Sequence, residues 1–212
     1  MNAGVWILLG LSAVAAAGDW IAVARRRKSL EYLCKPLTVG LLIGVAVALD
    51  VDDGAVRGWF VAALVLSLLG DVFLMLPRDL FVAGLASFLL AHIAYITGLW
   101  VDGQSAVGFG IGVTAAALAV VIVGGRVLRA VRGGDQRDMA APVGLYMGVI
   151  SLMLASAVGT GKALAMGGAA LFYSSDALIA WERFVDSRAW HRLAIIVTYH
   201  LAQVALTLSL LT

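Results

Sequence analysis

The chain has 212 residues, 62% of them hydrophobic and 13% charged, with a mean hydropathy of +1.00. Soluble domains carry about 25% charged residues, so this composition excludes an ordinary soluble fold and indicates an all-α, polytopic integral membrane protein. A net charge of +2 offers no footing for nucleic acid, and the single cysteine, Cys34, excludes an intrachain disulfide or a cysteine-based metal cage.

About 20 apolar residues cross a bilayer as a helix. Eight runs approach that length: 4–24, 36–50, 58–76, 80–100, 106–124, 140–158, 163–181 and 192–212. The first contains ILLGLSAVAAAG, which has the small-residue character of a signal peptide. No basic region precedes it, and Arg25, Arg26, Arg27 and Lys28 follow directly, so it reads as a retained first helix. The second run is short and is expected to be tilted or partly enclosed by its neighbours. The connections are brief, so consecutive helices are expected to pack antiparallel in one bundle. A single membrane-embedded domain over 1–212 leaves no room for a soluble one. No internal repeat is visible, and a homo-oligomer is compatible with the pattern. Gly40/Gly44, Gly108/Gly112 and Gly144/Gly148 have the spacing that lets helix backbones approach.

Basic residues set the orientation. The connections after runs one, three, five and seven hold Arg25, Arg26, Arg27, Lys28, Lys35, Arg78, Arg126, Arg129, Arg132, Arg137, Arg183, Arg188 and Arg192, against only Arg57 and Lys162 on the other side. Thirteen against two predicts a bacterial inner-membrane protein with both termini outside the cytoplasm. A reporter that works only outside the cytoplasm, fused after Thr212, is then expected to be active. A cytoplasm-specific reporter working there would overturn the orientation.

The third run carries LVLSLLGDVFLML, residues 64–76, with Asp71 as its one charge. A bare carboxylate at such depth costs roughly 2.5–3.5 kcal/mol on insertion scales. It persists where it faces a partner or a cavity. With each helix given a direction, Asp19, Asp71, Asp176, Tyr146, Tyr199 and His200 fall in one layer roughly 8–12 Å from the cytoplasmic face, at 1.5 Å per residue. Lys35 opens the second run at that face. His92 and Tyr95 lie near mid-membrane. Ser67 and Asp71, Tyr199 and Gln203, Tyr173 and Asp176, and His92 and Tyr95 are spaced to share helix faces.

Each residue also has a structural reading. Asp71 or Asp176 can be a hydrogen-bond partner of Lys35 or Tyr199. Lys35 can be a snorkelling interfacial lysine. Asp19 can pair with Arg25 or Arg26, and His200 can simply pack. Isolated structural residues would scatter in depth, however, so the shared layer argues for a site.

The strings CKPLT (34–38), SLLGDVFLM (67–75), FLLAHIAYI (88–96), GLYMGVISLM (144–153), ALFYSSDALIA (170–180) and TYHLAQ (198–203) resemble the YhhN-type lysoplasmalogenase family over nearly the whole chain. The resemblance implies hydrolysis of the vinyl ether bond of lysoplasmalogens, or of related lyso ether lipids, to a fatty aldehyde and a glycerophospho-ethanolamine or -choline. It carries candidate roles to Lys35, Asp71, His92, Tyr146, Asp176, Tyr199 and Gln203. His200 stands where an aromatic such as tyrosine is expected, and is left out of that set.

Such a reaction needs a proton donor, a negative group beside an oxocarbenium-like cation and a base for water. Two carboxylates in a low-dielectric site can divide those roles, as in glycosidases. Asp71, Asp176 and His92 are thus the catalytic candidates. Lys35 is the candidate for the lipid phosphate, and Tyr95, Tyr146, Tyr199 and Gln203 complete the substrate site. The implied partners are a lysophospholipid substrate and membrane lipids, with no metal or other cofactor. Rival readings are a zinc hydrolase using His92, His200 and an aspartate, a proton-coupled small-molecule or lipid transporter, and a non-catalytic scaffold.

Overall fold

A computed structural model describes residues 2–212. It contains eight helices long and apolar enough to cross a membrane. They are α1 (Ala3–Ala24), α2 (Lys28–Ala48), α3 (Gly54–Met75), α4 (Phe81–Asp102), α5 (Ala106–Gly133), α6 (Ala140–Thr160), α7 (Ala163–Phe184) and α8 (His191–Leu208). The all-α membrane bundle expected from composition is what is found.

Helix starts and stops follow local chemistry. The Asn2 side chain accepts from the Val5 N–H at 3.0 Å, and Asp53 accepts from Ala55 N–H at 2.7 Å, capping α1 and α3. Gly161 ends α6 with φ +71°, a left-handed conformation that favours glycine.

α1 packs on α2, α2 on α3, α3 on α4, α4 on α6, α6 on α7 and α7 on α8, and α8 returns to α1 and α2. The seven form a closed ring, with α5 outside it against α6. Gly108 and Gly112 explain that contact: a Cβ on Gly112 would stand 2.6 Å from the Ala155 Cα. Only this one of the three glycine pairs serves a close helix crossing. Nothing lies within 4 Å of a Cβ at Gly40 or Gly148. Inside the ring Phe60, Leu64, Tyr95, Phe172 and Leu206 are fully buried. Outside it, side chains such as Trp6 (61% exposed) and Val121 (74%) face outward, which a bilayer accommodates and water would not.

Two runs are longer than their apolar stretches. α2 has 21 residues and begins at Lys28, so the second helix is full length rather than short. Lys28, Glu31, Lys35 and Pro36 interrupt the apolar pattern without ending the helix. Their charges are matched: Glu31 binds Lys28 at 3.0 Å and Arg192 of α8 at 3.1 Å. α7 likewise continues past its apolar run to Phe184.

The end of the bundle that carries most of the basic residues has a further cross-link. Asp79, in the α3–α4 connection, accepts from Arg183 at 2.9 Å. The hydrogen bond and charge of Arg183 hold the Asp79 carboxyl below the usual carboxylate range. The link is present at neutral pH and fades as pH falls through that lowered value. At the other end Lys162 is bound to Asp102 at 2.6 Å.

Candidate active site

The polar layer exists, with two corrections to its depths. Lys35 follows the start of α2 by seven residues, so it lies inside the bundle rather than at its face. Asp176 precedes the end of α7 by eight residues rather than five. Asp71 is four residues from the end of α3, Tyr146 six from the start of α6 and Tyr199 eight from the start of α8. These five therefore span roughly 6–12 Å from the helix ends, at 1.5 Å per residue.

The layer resolves into separate clusters. In the first, Tyr146 donates to Asp176 Oδ2 at 2.5 Å, and His92 Nε2 lies 3.0 Å from both that oxygen and the Tyr146 hydroxyl. When Nε2 carries a hydrogen it donates to Asp176. Nδ1 of His92 is buried without a hydrogen-bond partner among the described residues. Residues of α4 and α6 thus converge on a single carboxylate oxygen of α7.

In the second, Lys35 Nζ lies 3.1 Å from Asp71 Oδ1, and Tyr199 donates to Asp71 Oδ2 at 2.6 Å. Here α2, α3 and α8 meet. The Lys35 side chain is 15% exposed and Asp71 only 1%. Both structural readings of Asp71, with Lys35 and with Tyr199, hold together. Lys35 is therefore paired with a carboxylate well inside the helix instead of standing free at its start. The reason is the earlier start of α2, which carries Lys35 two turns inward.

Phe172 stands between the two. Its ring centroid is 4.7 Å from that of His92 and 5.5 Å from that of Tyr199. Phe88 packs edge-on against both Phe172 and Tyr199. Gly70, beside Asp71, makes room for this: a Cβ there would sit 2.6 Å from the Phe88 ring. The glycine of the GD pair thus lets an aromatic wall stand between the carboxylates.

The other candidates lie elsewhere. Tyr95 donates to Gln203 Oε1 at 2.6 Å, and both side chains are fully buried, deeper than the two carboxylates. Asp19 does not pair with Arg25 or Arg26. It is fully buried, and its Oδ2 lies 3.9 Å from His200 Nε2, too long for a hydrogen bond. Trp20 donates to the other nitrogen of His200 at 3.1 Å. His92 and His200 belong to different clusters, and no three His, Cys, Asp or Glu side chains converge among the described residues. The zinc site of His92, His200 and an aspartate is therefore not assembled.

A cleft reaches the first cluster. Its walls are Leu74, Phe81, Leu85 and Phe88 from α3 and α4, Val123, Gly124 and Val127 from α5, and residues of α6 and α7. Tyr146 and Asp176 are the polar groups at its inner part, with Tyr173 beside them. Asp71, Lys35, Tyr95, Tyr199 and Gln203 are not among its walls. The two aspartates thus share a layer but not a cavity. On α5 the wall coincides with a π-helical turn, Val120–Gly124, where one widened turn directs Val123 and Gly124 to the cleft.

Sequence reasoning missed Phe172, although it precedes Asp176 by one helical turn. It also missed the α5 wall, whose apolar run carries no polar mark.

The YhhN family model matches residues 30–210. Lysoplasmalogenase TMEM86B of Homo sapiens is 35% identical over 149 residues, 70% of this chain and 62% of that protein. The Rattus norvegicus protein of the same name is 32% identical over 179 residues, 84% of this chain and 71% of its own. A lysoplasmalogenase of Mycobacterium tuberculosis is 29% identical over 219 aligned positions, 97% of this chain and 83% of its own. The chain thus spans under two thirds of the human relative's length. No solved structure matches it.

Proposed function

This chain belongs to the YhhN family, and from that premise we propose that it hydrolyses the vinyl ether bond of a lysoplasmalogen or a related lyso ether lipid. The observation that carries the reading is the hydrogen-bonded Asp176–Tyr146 pair bordering an apolar cleft within the membrane-spanning helices, with His92 buried behind it on the same carboxylate oxygen. An apolar cleft suits a hydrocarbon chain. A hydrogen-bonded carboxyl at its inner part suits proton transfer to that chain's first double bond.

The chemistry can be followed through these side chains. Asp176 in its acid form gives a proton to the vinyl carbon β to oxygen. The π bond is lost, and the positive charge is shared between the α carbon and oxygen. The carboxylate left on Asp176 faces that cation. Water then adds to the α carbon and gives its proton to Asp176, assisted by His92, which returns the acid. The resulting hemiacetal breaks its C–O bond to the glycerol oxygen, releasing a fatty aldehyde and a glycerophospho alcohol. One water is consumed and the proton is regenerated. General acid–base catalysis of this kind contributes about 10²–10⁴-fold.

Asp71 is the second carboxylate of the scheme. It does not border the cleft, so its charge acts across the Phe172 and Tyr199 rings rather than by contact. Charge interactions reach further in a low-dielectric interior than in water. Lys35 is then a partner that holds Asp71, not a phosphate ligand. Tyr95 and Gln203 brace α4 against α8 beneath the site.

The deciding experiment is purified protein with an alkenyl lysophosphoethanolamine, following long-chain aldehyde release with and without exhaustive chelation. Aldehyde release that survives chelation is expected. No aldehyde from any vinyl ether lipid would overturn the reading. Loss on chelation with rescue by zinc would replace the carboxylate mechanism with a metal-dependent one.

A further inference from the structure

The headgroup end of the substrate has no assigned site once Lys35 is committed to Asp71. The rim of the cleft supplies another cation. Arg183 follows Asp176 on α7 by seven residues, two turns, and so lies on nearly the same helix face. Its guanidinium stands over the Phe81 ring at 4.7 Å from the centroid. Phe81 meets Phe184 edge-on at 5.9 Å, and both rings border the cleft. Arg183 is therefore at the mouth of the cavity whose inner part holds Asp176.

We propose that Arg183 and Asp79 together form the headgroup site of this cleft, Arg183 binding the lipid phosphate and Asp79 the ammonium of a zwitterionic lysophospholipid. This rests on the reading of the cleft as a lyso ether lipid site, and adds the part of the lipid that reading leaves unplaced.

The spacing fits. In an alkenyl lysophospholipid seven bonds separate phosphorus from the β carbon of the vinyl ether, about 8 Å at the reach of an extended chain. The two residues are about 10 Å apart along the helix axis. An arginine side chain can take up the difference. A phosphate at Arg183 thus places the vinyl ether within reach of Asp176.

The chemistry fits as well. Asp79 takes one N–H of Arg183 at 2.9 Å, the one hydrogen bond that Arg183 side chain makes among the described residues. A guanidinium has five N–H donors in a planar fork, so an edge remains for phosphate oxygens. The ring beneath it fixes the plane. Asp79 is 65% exposed in its side chain, and its other oxygen, Oδ1, accepts only a long 3.4 Å bond from the Phe81 N–H, which leaves lone-pair capacity for a cation. An arginine and an aspartate held side by side present the charge pattern opposite to a phosphoethanolamine or phosphocholine zwitterion.

The test compares two alkenyl lysolipids, one with a phosphoethanolamine headgroup and one ending at the bare phosphate. Arg183→Gln is expected to raise KM for both lipids about tenfold, the scale of one charge-assisted hydrogen bond, with kcat nearly unchanged. Arg183→Lys should recover part of that loss, since it keeps the charge without the fork. Asp79→Asn should raise KM for the phosphoethanolamine lipid alone, by about threefold at so exposed a site. An Arg183→Gln KM within twofold of the parent overturns the phosphate assignment, and an Asp79→Asn effect equal on both lipids overturns the ammonium assignment. Equilibrium binding of a non-cleavable alkyl ether lysophosphoethanolamine is measured on the same proteins. If the parent cleaves no vinyl ether lipid, the catalytic reading fails. A loss of alkyl ether binding in Arg183→Gln still supports the headgroup site in that case, and equal binding by the parent and Arg183→Gln rejects it.

Discussion

Asp176→Asn is expected to lower turnover of a vinyl ether lysolipid by roughly 10²–10⁴-fold while leaving a folded protein. Asparagine keeps the size of the side chain and can still accept from Tyr146, but it can neither donate nor hold the proton. The loss should appear in kcat, because the group acts on the reacting carbon and not on the headgroup. His92→Gln and Tyr146→Phe each remove one contact to Asp176 Oδ2 and should cost less than Asp176→Asn. Adding either to Asp176→Asn should cost little more, since residues acting as one unit are strongly non-additive. An Asp176→Asn protein that folds and works within tenfold of the parent would show that the carboxylate is structural, and would remove the acid from the scheme.

The second large effect concerns Lys35 and Asp71. They form an ion pair at 3.1 Å in which Asp71 is 1% exposed, so the carboxylate has no water to fall back on. Removing one partner from a buried pair typically costs about 3–5 kcal/mol, because the other is left uncompensated. Lys35→Met is accordingly expected to lower the thermal midpoint of the purified protein sharply, and Asp71→Asn to do so as well. The double variant Lys35→Met with Asp71→Asn should be more stable than either single one, because no unpaired charge remains. Its activity separates support from catalysis. If Asp71 assists through its charge, the stable double variant stays slow. If it only holds α2, α3 and α8 together, the double variant recovers turnover. Single variants as stable as the parent would mean that the pair is not closed in the membrane.

The aspartate that borders the cleft was not distinguishable from sequence. Asp71 and Asp176 have similar surroundings in the chain, each in a long apolar run near the end of a helix. What separates them is the wall of Phe88 and Phe172, and that wall depends on Gly70 leaving space for a ring from another helix. The partner of Asp19 was misjudged for a related reason. Arg25 and Arg26 are close in sequence, but the carboxylate points into the bundle, where His200 of α8 is its neighbour.

Composition and patterning by themselves determined that this is a membrane bundle of eight helices, because a helix must satisfy its backbone internally and needs a set length to cross lipid. They also marked the polar residues that stand out in apolar runs, because a charge or imidazole there is costly in lipid. The family followed from short strings around those same residues. Tertiary structure alone decided the pairing: Lys35 with Asp71, His92 and Tyr146 with Asp176, and a cleft that reaches only the latter. Depth along a helix is one coordinate and can be counted from residue number. Which faces turn toward one another is set by how eight helices pack, through contacts between residues as far apart as Asp71 and Tyr199, and no local pattern records that rotation.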